Sequence, residues 1–354
     1  MKEYISTKQA AAKWKISQRR VLALCQHNRI PELNRVGNMW LIPASTSKPL
    51  DNRHFRYVDK RREARPFLKW AGGKTQLLSE IDKRLKTLPG FNKYAEPFVG
   101  GGAVLFHVLA TYPVQEAYIS DINSDLINTY LIVKNYPEQL ISVLKVMENT
   151  FLEKDMATRK EYYYQQRERF NNLFAKQLSQ QITKASLFIF LNRTCFNGLY
   201  RVNRQGKFNV PMGTYKNPLI CDSDNLREVS KLLQRVKIVC ADYKESAKFI
   251  DKQTLVYFDP PYRPLTATAS FTSYTTEEFD DDSQIQLAKY IASVNKKQAK
   301  ILLSNSDPHN INPQDNFFEK LYRDFRIERV LATRMINCKR NSRGRINELL
   351  ITNF

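Results

Sequence analysis

Short apolar runs alternate with longer mixed segments through most of the chain, from Phe67 onward. The intervening segments are mostly long enough for helices, and strands that alternate with helices usually pair in parallel. We therefore predict an α/β fold with a mostly parallel sheet. Its candidate strands are residues 94–99, 117–120, 236–240, 254–258, 300–303, 328–333 and 348–351.

Residues 134–235 interrupt this alternation. Their first part has a helical pattern and is rich in aromatic residues, and their second part contains turn pairs such as Asn197-Gly198 and Gln205-Gly206. Such pairs favour tight turns between short strands. We predict that residues 134–235 are an insertion that forms a small helical and hairpin subdomain.

Composition excludes several classes of protein. No stretch approaches the roughly 18 apolar residues of a membrane span, and no apolar signal-peptide core follows the N-terminus. The 5 cysteines contain no CxxC pair and the 4 histidines are scattered, which argues against a disulfide framework and a metal site. We expect a cytoplasmic protein with neither a metal site nor a membrane partner.

The charge balance indicates a polyanionic partner. The chain has 56 lysines and arginines against 35 aspartates and glutamates, a formal net charge of +21. Such a surplus is typical of proteins that bind nucleic acid or, less often, an anionic membrane. We expect nucleic acid; a lysine-rich soluble protein without such a partner is the alternative. Residues 1–66 carry nearly half of the surplus.

Residues 1–47 have the pattern of a separate small domain. Ser6 is placed to cap a helix that runs to Trp14, and Ser17 is placed to cap a second helix over residues 18–27. The inward positions of the second helix are predicted to be Val21, Leu22, Leu24 and Cys25. Two short helices joined so tightly are typical of a helix-turn-helix.

The second helix directs Arg19 and Arg20 outward in its first turn, where base-reading side chains usually lie. A predicted hairpin follows, with its turn at Gly37-Asn38. Over residues 3–50 the chain resembles the excisionase/MerR-like winged helix-turn-helix family. That resemblance implies a DNA-binding module at residues 1–47, followed by a basic linker at 48–66. A small helical adaptor without DNA contact is the alternative.

A misleading motif follows the linker. Gly72-Gly73-Lys74-Thr75 looks like the end of a phosphate-binding P-loop, but the full pattern requires glycine at position 68, where the chain has Leu68. No apolar strand precedes the motif either. We therefore do not expect nucleotide hydrolysis.

A second glycine-rich segment is more informative. A candidate strand leads into Gly100-Gly101-Gly102 and then into a predicted helix over residues 103–111, so the backbone can approach a ligand at the start of a helix. About twenty residues later, Asp121 follows the next strand, at the spacing that suits ribose hydroxyl groups. Together, the glycine turn and Asp121 indicate a nucleoside-containing cofactor. The glycines alone would also suit a tight structural turn.

The most specific motif is Asp259-Pro260-Pro261-Tyr262, directly after the apolar run 254–258. The prolines stiffen the turn, so Asp259 and a backbone carbonyl are held as acceptors at the carboxyl edge of the sheet. Tyr262 adds an aromatic face. This arrangement suits a planar ring that carries an exocyclic amine. A proline-stiffened turn with a capping aspartate is the alternative.

Residues 67–354 resemble the Dam family of DNA adenine-N6 methyltransferases (D12 class, alpha group), over about four fifths of the chain. The family implies a Rossmann-like methyltransferase sheet with an inserted target-recognition subdomain. One departure is Phe196, where members often carry tyrosine; it keeps a stacking face and loses a hydroxyl. The segments that carry the resemblance are 67–74, 98–102, 192–203, 206–211, 241–243, 259–262 and 343–353.

The resemblance implies S-adenosylmethionine as cofactor and no metal. The implied catalytic residues are Asp259, Pro260 and Tyr262. The implied cofactor-binding residues are Trp70, Lys74, Phe98, Gly100, Gly102, Asp121, Asp242 and Asp259. The implied DNA-binding residues are Lys69, Arg193, Phe196, Asn197, Leu199, Arg201 and Pro211, to which the N-terminal module adds Arg19 and Arg20.

The function implied is methylation of adenine N6 in duplex DNA at GATC, by flipping the base into the Asp259–Tyr262 site. The double-stranded DNA partner implies association with the nucleoid, and a separate cognate restriction endonuclease is one setting for the enzyme. Phosphate contacts are expected from Lys339, Arg340, Arg343 and Arg345, and residues 264–276 are expected to become ordered with DNA. Two alternatives stay open: a DNA-binding regulator dominated by residues 1–47, and a methyltransferase that acts on cytosine N4 or an RNA amine.

Overall fold

A computed structural model describes residues 4–14, 16–26, 30, 33–37, 39–46, 64–88, 90–263, 279–333 and 345–354. The chain divides into two compact units, Met1–Arg62 and Glu63–Phe354. Each unit has its own hydrophobic core. Within the described ranges, no helix is long and apolar enough to cross a membrane.

The first unit contains two short helices and a small antiparallel sheet. The elements are β1 (Tyr4–Ile5), α1 (Thr7–Trp14), α2 (Gln18–Gln26), β2 (Asn34–Val36) and β3 (Met39–Pro43). The strand order is β1-β3-β2, so the predicted hairpin forms and an additional N-terminal strand pairs with it. Both helices begin as predicted, because Ser6 Oγ accepts a hydrogen bond from Gln9 N and Ser17 Oγ accepts one from Arg20 N.

The core of the first unit lies between the helices and the sheet. Its buried side chains include Ala10, Ala11, Trp14, Val21, Leu24 and Cys25. Leu22 was predicted to face inward, but the side chain is 36% exposed. The prediction is wrong because Leu22 lies on the opposite side of a helix whose single buried face is already filled by its neighbours.

The second unit is an α/β fold. Its helices are α3 (Leu78–Leu85), α4 (Ala103–Thr111), α5 (Ser124–Asn135), α6 (Pro137–Leu152), α7 (Met156–Asn172), α8 (Leu178–Thr194), α9 (Ser223–Leu233), α10 (Asp281–Asn295) and α11 (Phe317–Leu321). Its strands are β4 (Lys93–Glu96), β5 (Glu116–Asp121), β6 (Val236–Cys240), β7 (Thr254–Phe258), β8 (Lys300–Ser306), β9 (Arg326–Thr333) and β10 (Arg345–Thr352).

The strands of this unit form one sheet in the order β6-β5-β4-β7-β8-β10-β9. The first five are parallel, whereas β10 runs antiparallel to both β8 and β9. The mostly parallel sheet predicted from the alternation is therefore confirmed. The last two predicted strands are longer than expected because they form a hairpin whose arms pair along their whole length.

Helices cover both faces of the sheet, so its central strands are buried on both sides. Alternate residues of β7 show this arrangement: Leu255 and Tyr257 belong to one hydrophobic cluster, and Val256 and Phe258 to another. The helices within residues 137–235 contribute to the first of these clusters. That segment therefore shares one core with the sheet, and its own position is fixed by packing against it.

Candidate active site

The predicted site residues lie at the carboxyl ends of four neighbouring parallel strands. Phe98 and the glycines follow β4, Asp121 ends β5, Asp242 follows β6 and Asp259 follows β7. In open α/β sheets, ligands bind at this edge. The strands lie in the order β6-β5-β4-β7, so the fold brings together residues that are far apart in sequence.

The Asp259 carboxylate is held by two side chains from distant parts of the chain. Lys74 Nζ lies 2.8 Å from Oδ1, and the Ser304 hydroxyl donates to the same oxygen at 2.9 Å. Burial raises the pKa of Asp259, while Lys74 and Ser304 act in the opposite direction. Every hydrogen bond and ion pair of this carboxylate with a described residue uses Oδ1, which leaves Oδ2 as an acceptor.

Lys74 is buried, with 5% of its surface exposed. Its ammonium group also donates to the Gly72 carbonyl oxygen and lies 4.5 Å from the centroid of the Tyr262 ring. A buried charge requires a partner, because its desolvation is costly. The glycine-lysine segment that looks like the end of a P-loop therefore directs its lysine to Asp259.

Tyr262 is fixed by a hydrogen bond across the sheet. Its hydroxyl donates to Glu348 Oε2 on β10 at 2.7 Å. Burial raises the pKa of Tyr262 well above its usual value, and the negative charges of Asp259 and Glu348 act in the same direction. The phenol therefore stays protonated and keeps donating to Glu348, which orients the ring beside Asp259.

Buried polar side chains hold the backbone around the two prolines. Gln284 on α10 donates to the Pro261 carbonyl oxygen at 3.0 Å, and the Arg263 N–H donates to Asn305 Oδ1 at 3.3 Å. Asn305 Nδ2 in turn donates to Gln284 Oε1 at 3.1 Å. Sequence reasoning missed Gln284, Asn305, Ser304 and Glu348. The one available signal was the polar run Ser304-Asn305-Ser306 at the end of an apolar strand.

The glycines after β4 are required by close contacts. Gly100 and Gly102 have φ values of +46° and +70°, which favour glycine. A Cβ atom at Gly100 would lie 2.9 Å from the Trp70 ring, and one at Gly102 would lie 2.5 Å from the Tyr130 hydroxyl oxygen. Gly102 is the N-cap of α4. The turn thus presents bare backbone at the start of a helix.

Asp121 ties this glycine turn to the end of β5. Its Oδ2 accepts a hydrogen bond from Gly100 N at 3.2 Å, and its Oδ1 accepts one from Asn123 N at 3.0 Å. Burial raises the pKa of Asp121, while these backbone N–H groups lower it. A carboxylate oxygen has two lone pairs, so each oxygen keeps capacity to accept from a hydroxyl group.

Phe98 and Asp242 complete the same edge. The Phe98 ring stacks on the Tyr243 ring, with centroids 5.4 Å apart and planes inclined by 27°. Asp242 is exposed and caps the short 3₁₀ helix Tyr243–Lys248 by accepting from Lys244 N. Phe98 therefore provides an apolar surface and Asp242 an acceptor near the ends of β4 and β6.

The predicted recognition hairpin forms a separate part of the surface. Val202 and Phe208 pair as an isolated antiparallel bridge, and Cys195 pairs with Met212 in the same way. Phe196 is 51% exposed, and Asn197 follows it with φ of +55°. Pro211 accepts a backbone hydrogen bond from Phe196 N, so these predicted DNA-binding residues lie close together.

Lys69, Leu199 and Arg201 lie in or against the same hairpin. The Lys69 ammonium group lies 4.1 Å from the centroid of the Tyr215 ring, and Leu199 is partly buried. Arg201 is exposed, and its Nε donates to Asn209 Oδ1 at 2.8 Å. This bond uses Nε, and the side chain of Arg201 stays on the surface.

Arg193 is partly buried in the last turn of α8. One of its terminal nitrogens donates to the Phe67 carbonyl oxygen at 2.8 Å, and its Nε is buried without a hydrogen-bond partner among the described residues. Burial lowers the pKa of Arg193, and the Asp222 carboxylate partly offsets this effect. The predicted DNA contact of this partly buried arginine stays a prediction.

Other predicted residues lie elsewhere. Arg19, which is exposed, and Arg20, which is partly buried, are in α2 of the first unit. The predictions for residues 264–276 and for the side chains of Lys339, Arg340, Arg343 and Arg345 fall outside the described residues. Across the described ranges, no group of three or more His, Cys, Asp or Glu side chains could hold a metal ion.

Fold and site together define an α/β protein with a bare glycine turn and partly buried carboxylates at the carboxyl edge of its parallel strands. The chain belongs to a family described as D12 class N6 adenine-specific DNA methyltransferase, which it matches over residues 70–336. The protein is therefore a DNA methyltransferase that acts on adenine N6 with S-adenosylmethionine as methyl donor. The bare glycine turn and the carboxylates at the strand ends fit this cofactor.

Several curated proteins are similar to the chain over most of their length. The Type II methyltransferase M.MjaIII of Methanocaldococcus jannaschii is 52% identical over 296 residues, 82% of this chain and 100% of that protein. The Type II methyltransferase M1.LlaDCHI of Lactococcus lactis is 39% identical over 82% of this chain and 95% of that protein. The DNA adenine methylase of Vibrio cholerae is 35% identical over 82% of this chain and 96% of that protein.

Proposed function

We propose that this enzyme methylates the adenine of GATC in duplex DNA after flipping that base into the site between Asp259 and Tyr262. The observation that carries the proposal is the state of Asp259. Among the described residues, Lys74 and Ser304 bond to its Oδ1 alone, and we expect Oδ2 to accept from an amine. The carboxylate is thereby oriented before the base arrives.

The amine of adenine needs this help because its lone pair is delocalised into the ring. Asp259 Oδ2 and the Pro260 carbonyl oxygen accept the two N6–H bonds, which localises the lone pair on nitrogen and directs it out of the ring plane. When bound, S-adenosylmethionine supplies an electrophilic methyl group. The residues contribute position and fixed electrostatics, which are large terms in catalysis.

Tyr262 stabilises the flipped base by stacking. Extrusion of a base from the duplex costs a few kcal/mol. Stacking of the base on one aromatic ring stabilises the extruded state by roughly 1–3 kcal/mol. The hydrogen bond to Glu348 holds the ring ready for this contact. Phe196 and Asn197 fill the gap left in the duplex, since an exposed apolar side chain can act as a wedge between bases.

The cofactor site follows from the edge formed by β4 to β7. Asp121 accepts from the ribose hydroxyl groups, Asp242 and Phe98 contact the adenine end, and the turn over Gly100 and Gly102 permits close approach of the backbone. Trp70 packs over this turn. Lys74 and Asp259 flank the end of the cofactor that carries the reacting group.

The hairpin provides sequence specificity. Lys69, Leu199, Arg201 and Pro211 contact base edges, and Arg201 pairs with guanine because a guanidinium group matches two acceptors of that base. Arg193, which also donates to the Phe67 carbonyl oxygen, is a further proposed DNA contact. The names of the relatives indicate a DNA substrate, and GATC rests on the resemblance of the hairpin segment.

The first unit is a winged helix-turn-helix that adds a second DNA contact through Arg19 and Arg20. Its described side chains include Lys8, Lys13 and Arg35 besides these two, and the described part of this unit contains no acidic residue. The matched family begins only at residue 70. The unit is therefore an addition to the methyltransferase, and the enzyme acts at the nucleoid.

A restriction-modification system is the setting that the relatives favour, because two of them are named Type II methyltransferases. A separate endonuclease would then cut the same unmethylated sequence. The test is a challenge of DNA from expressing cells with lysate of the source organism. If the lysate cleaves unmethylated DNA but not DNA from expressing cells, the pairing is supported. If it cleaves both DNAs or neither, the pairing is contradicted.

The primary experiment is single-molecule sequencing of plasmid DNA from a methylation-free host that expresses the chain. N6-methyladenine at nearly every GATC is the expected result. Methylation of another motif would keep the chemistry and overturn the proposed base contacts. No modification by soluble, folded protein would overturn the proposal in favour of an RNA acceptor or a regulator.

A further inference from the structure

Asn192, near the end of α8, joins the two parts of the chain that carry the proposed base contacts. The side chain is 3% exposed. Its Oδ1 accepts from Lys69 N at 2.8 Å, while its Nδ2 donates to the Lys69 carbonyl oxygen at 2.7 Å and to the Gly198 carbonyl oxygen at 3.1 Å. One amide group therefore fixes Lys69 against the turn Phe196–Gly198.

The same turn also directs the side chain of Lys69. Gly198 has φ of +64°, and a Cβ atom there would lie 2.4 Å from Lys69 Cδ and 2.5 Å from Lys69 Cβ. The lysine stem therefore crosses the bare face of the glycine, and its ammonium group continues to the Tyr215 ring. Any larger residue at position 198 would displace the lysine.

We infer that Asn192 is a positioning residue for target recognition, which sets Lys69 at a fixed place relative to the hairpin residues Leu199 and Arg201. The inference rests on the proposed function, in which these residues contact bases. Lys69 and Asn192 are 123 positions apart in the chain. Base readout needs a defined geometry between the two segments, and the buried amide is the group that bonds to both.

The chain offers a matched control in Asn225 on α9. This asparagine is 2% exposed, its Oδ1 accepts from Arg65 N at 3.0 Å and its Nδ2 donates to the Arg65 carbonyl oxygen at 3.0 Å. It therefore holds the same N-terminal segment in the same two-sided way. Its described hydrogen bonds do not include the hairpin.

The test compares Asn192→Asp with Asn225→Asp in the full chain. Each substitution keeps the acceptor oxygen and replaces the donor nitrogen, so both should lower the melting temperature. The readout is base discrimination, measured as kcat/KM on the target DNA sequence divided by kcat/KM on each single-base variant of that sequence. We expect the ratio to fall by roughly tenfold at the base read by Lys69 in Asn192→Asp, and to stay unchanged in Asn225→Asp.

Two further variants make the outcome decisive. Gly198→Ala displaces the lysine stem without removing the amide, so it should alter the ratio at the same base, and it carries the test if Asn192→Asp does not fold. Lys69→Ala reports on the proposed function: an unchanged ratio overturns base reading by Lys69 itself. If Lys69→Ala changes the ratio while folded Asn192→Asp or Gly198→Ala does not, the positioning role is wrong.

Discussion

At the scale of single residues, Lys74 shows how burial decides the role of a side chain. The local sequence resembles a phosphate-binding loop, yet the ammonium group is buried beside Asp259 and Tyr262. Removing one member of a buried ion pair costs about 3–5 kcal/mol, because the other charge is left without a partner. The lysine therefore both requires Asp259 and orients it.

Replacement of the acceptor tests the chemistry directly. We expect Asp259→Ala to reduce methyl transfer by at least about 10²-fold, the scale for the loss of one preorganised electrostatic contact. Binding of the duplex should survive, because the proposed hairpin contacts do not involve Asp259. Single-turnover rates and gel-shift affinities measure the two effects. Asp224→Ala, at a side chain that is 80% exposed, is the control, and retained turnover in Asp259→Ala would contradict the mechanism.

The hairpin arginines separate base reading from phosphate contact. We expect Arg201→Ala to lose discrimination at one base pair by about 1–3 kcal/mol, because a bidentate contact to guanine is lost. Arg204→Ala is the control, since Arg204 is exposed on the same hairpin and should weaken all sequences alike. Methylation rates on every single-base variant of the target measure this. Equal losses for both variants on all sequences would refute base reading by Arg201.

At the scale of elements, local patterns located most strands and helices, although the predicted strand 94–99 ends at Glu96. The run 254–258 is β7 and the predicted helix 103–111 is α4 with the same bounds. These elements were predictable because burial on both faces leaves a continuous apolar run. Contacts between elements were not predictable, since they join side chains distant in sequence. The polar contact between α3 and α4 is an example.

Asp82 on α3 makes that contact. Its Oδ1 accepts from the Tyr112 hydroxyl at 2.8 Å and lies 3.1 Å from His107 Nε2, and Lys86 Nζ lies 2.6 Å from Oδ2. The hydrogen bond from Lys86 is the largest effect that lowers the pKa of Asp82 to about 2, with further lowering by Tyr112 and His107 and an opposing effect of burial. The folded state thus favours the charged carboxylate.

This shift predicts a pH-dependent contribution to stability. The folded pKa lies below the unfolded value of about 3.9, so the stabilisation is complete above that pH and is lost as the pH falls towards 2. We expect Asp82→Asn to lower the free energy of unfolding by about 2 kcal/mol at pH 7 and to have little effect near pH 2. Denaturant unfolding at both pH values measures this. Asp324→Asn, at a side chain that is 82% exposed, is the control, and a difference independent of pH would contradict the assignment.

At the scale of the whole molecule, charge and domain organisation lead to one expectation. The net charge is +21, and the two units have separate cores. The full length of the Methanocaldococcus relative aligns with only 82% of this chain. The methyltransferase unit should therefore fold and react without the first unit, while the proposed second DNA contact should be lost.

A salt titration measures that contact. We expect a chain of residues 63–354 to retain methyl transfer and to bind DNA with a shallower dependence of log K on log salt concentration, by about 0.9 for each phosphate contact removed. The double substitution Arg19→Ala with Arg20→Ala in the intact chain should reproduce part of this change. Identical slopes for the intact and shortened chains would show that the first unit does not contact DNA.

The sequence by itself determined the class of fold, the glycine turn after β4 and the motif at the end of β7. Each of these features depends on residues that are neighbours in the sequence. They are the alternation of strands and helices, the glycines in a turn, and Asp259 held by adjacent prolines. The cofactor and the adenine-specific activity followed from the resemblance that these motifs carry, and the family match bears them out.

Only the tertiary structure decided which side chains meet. The contacts of Asp259 with Lys74 and Ser304, of Tyr262 with Glu348, and of Asn192 with Lys69 each join segments that are separate in the chain. The same limit explains the error at Leu22, where residue type suggested a buried position and packing left the side chain exposed. Local sequence sets the conformation of a segment, whereas partners and exposure depend on what the remainder of the chain places against it.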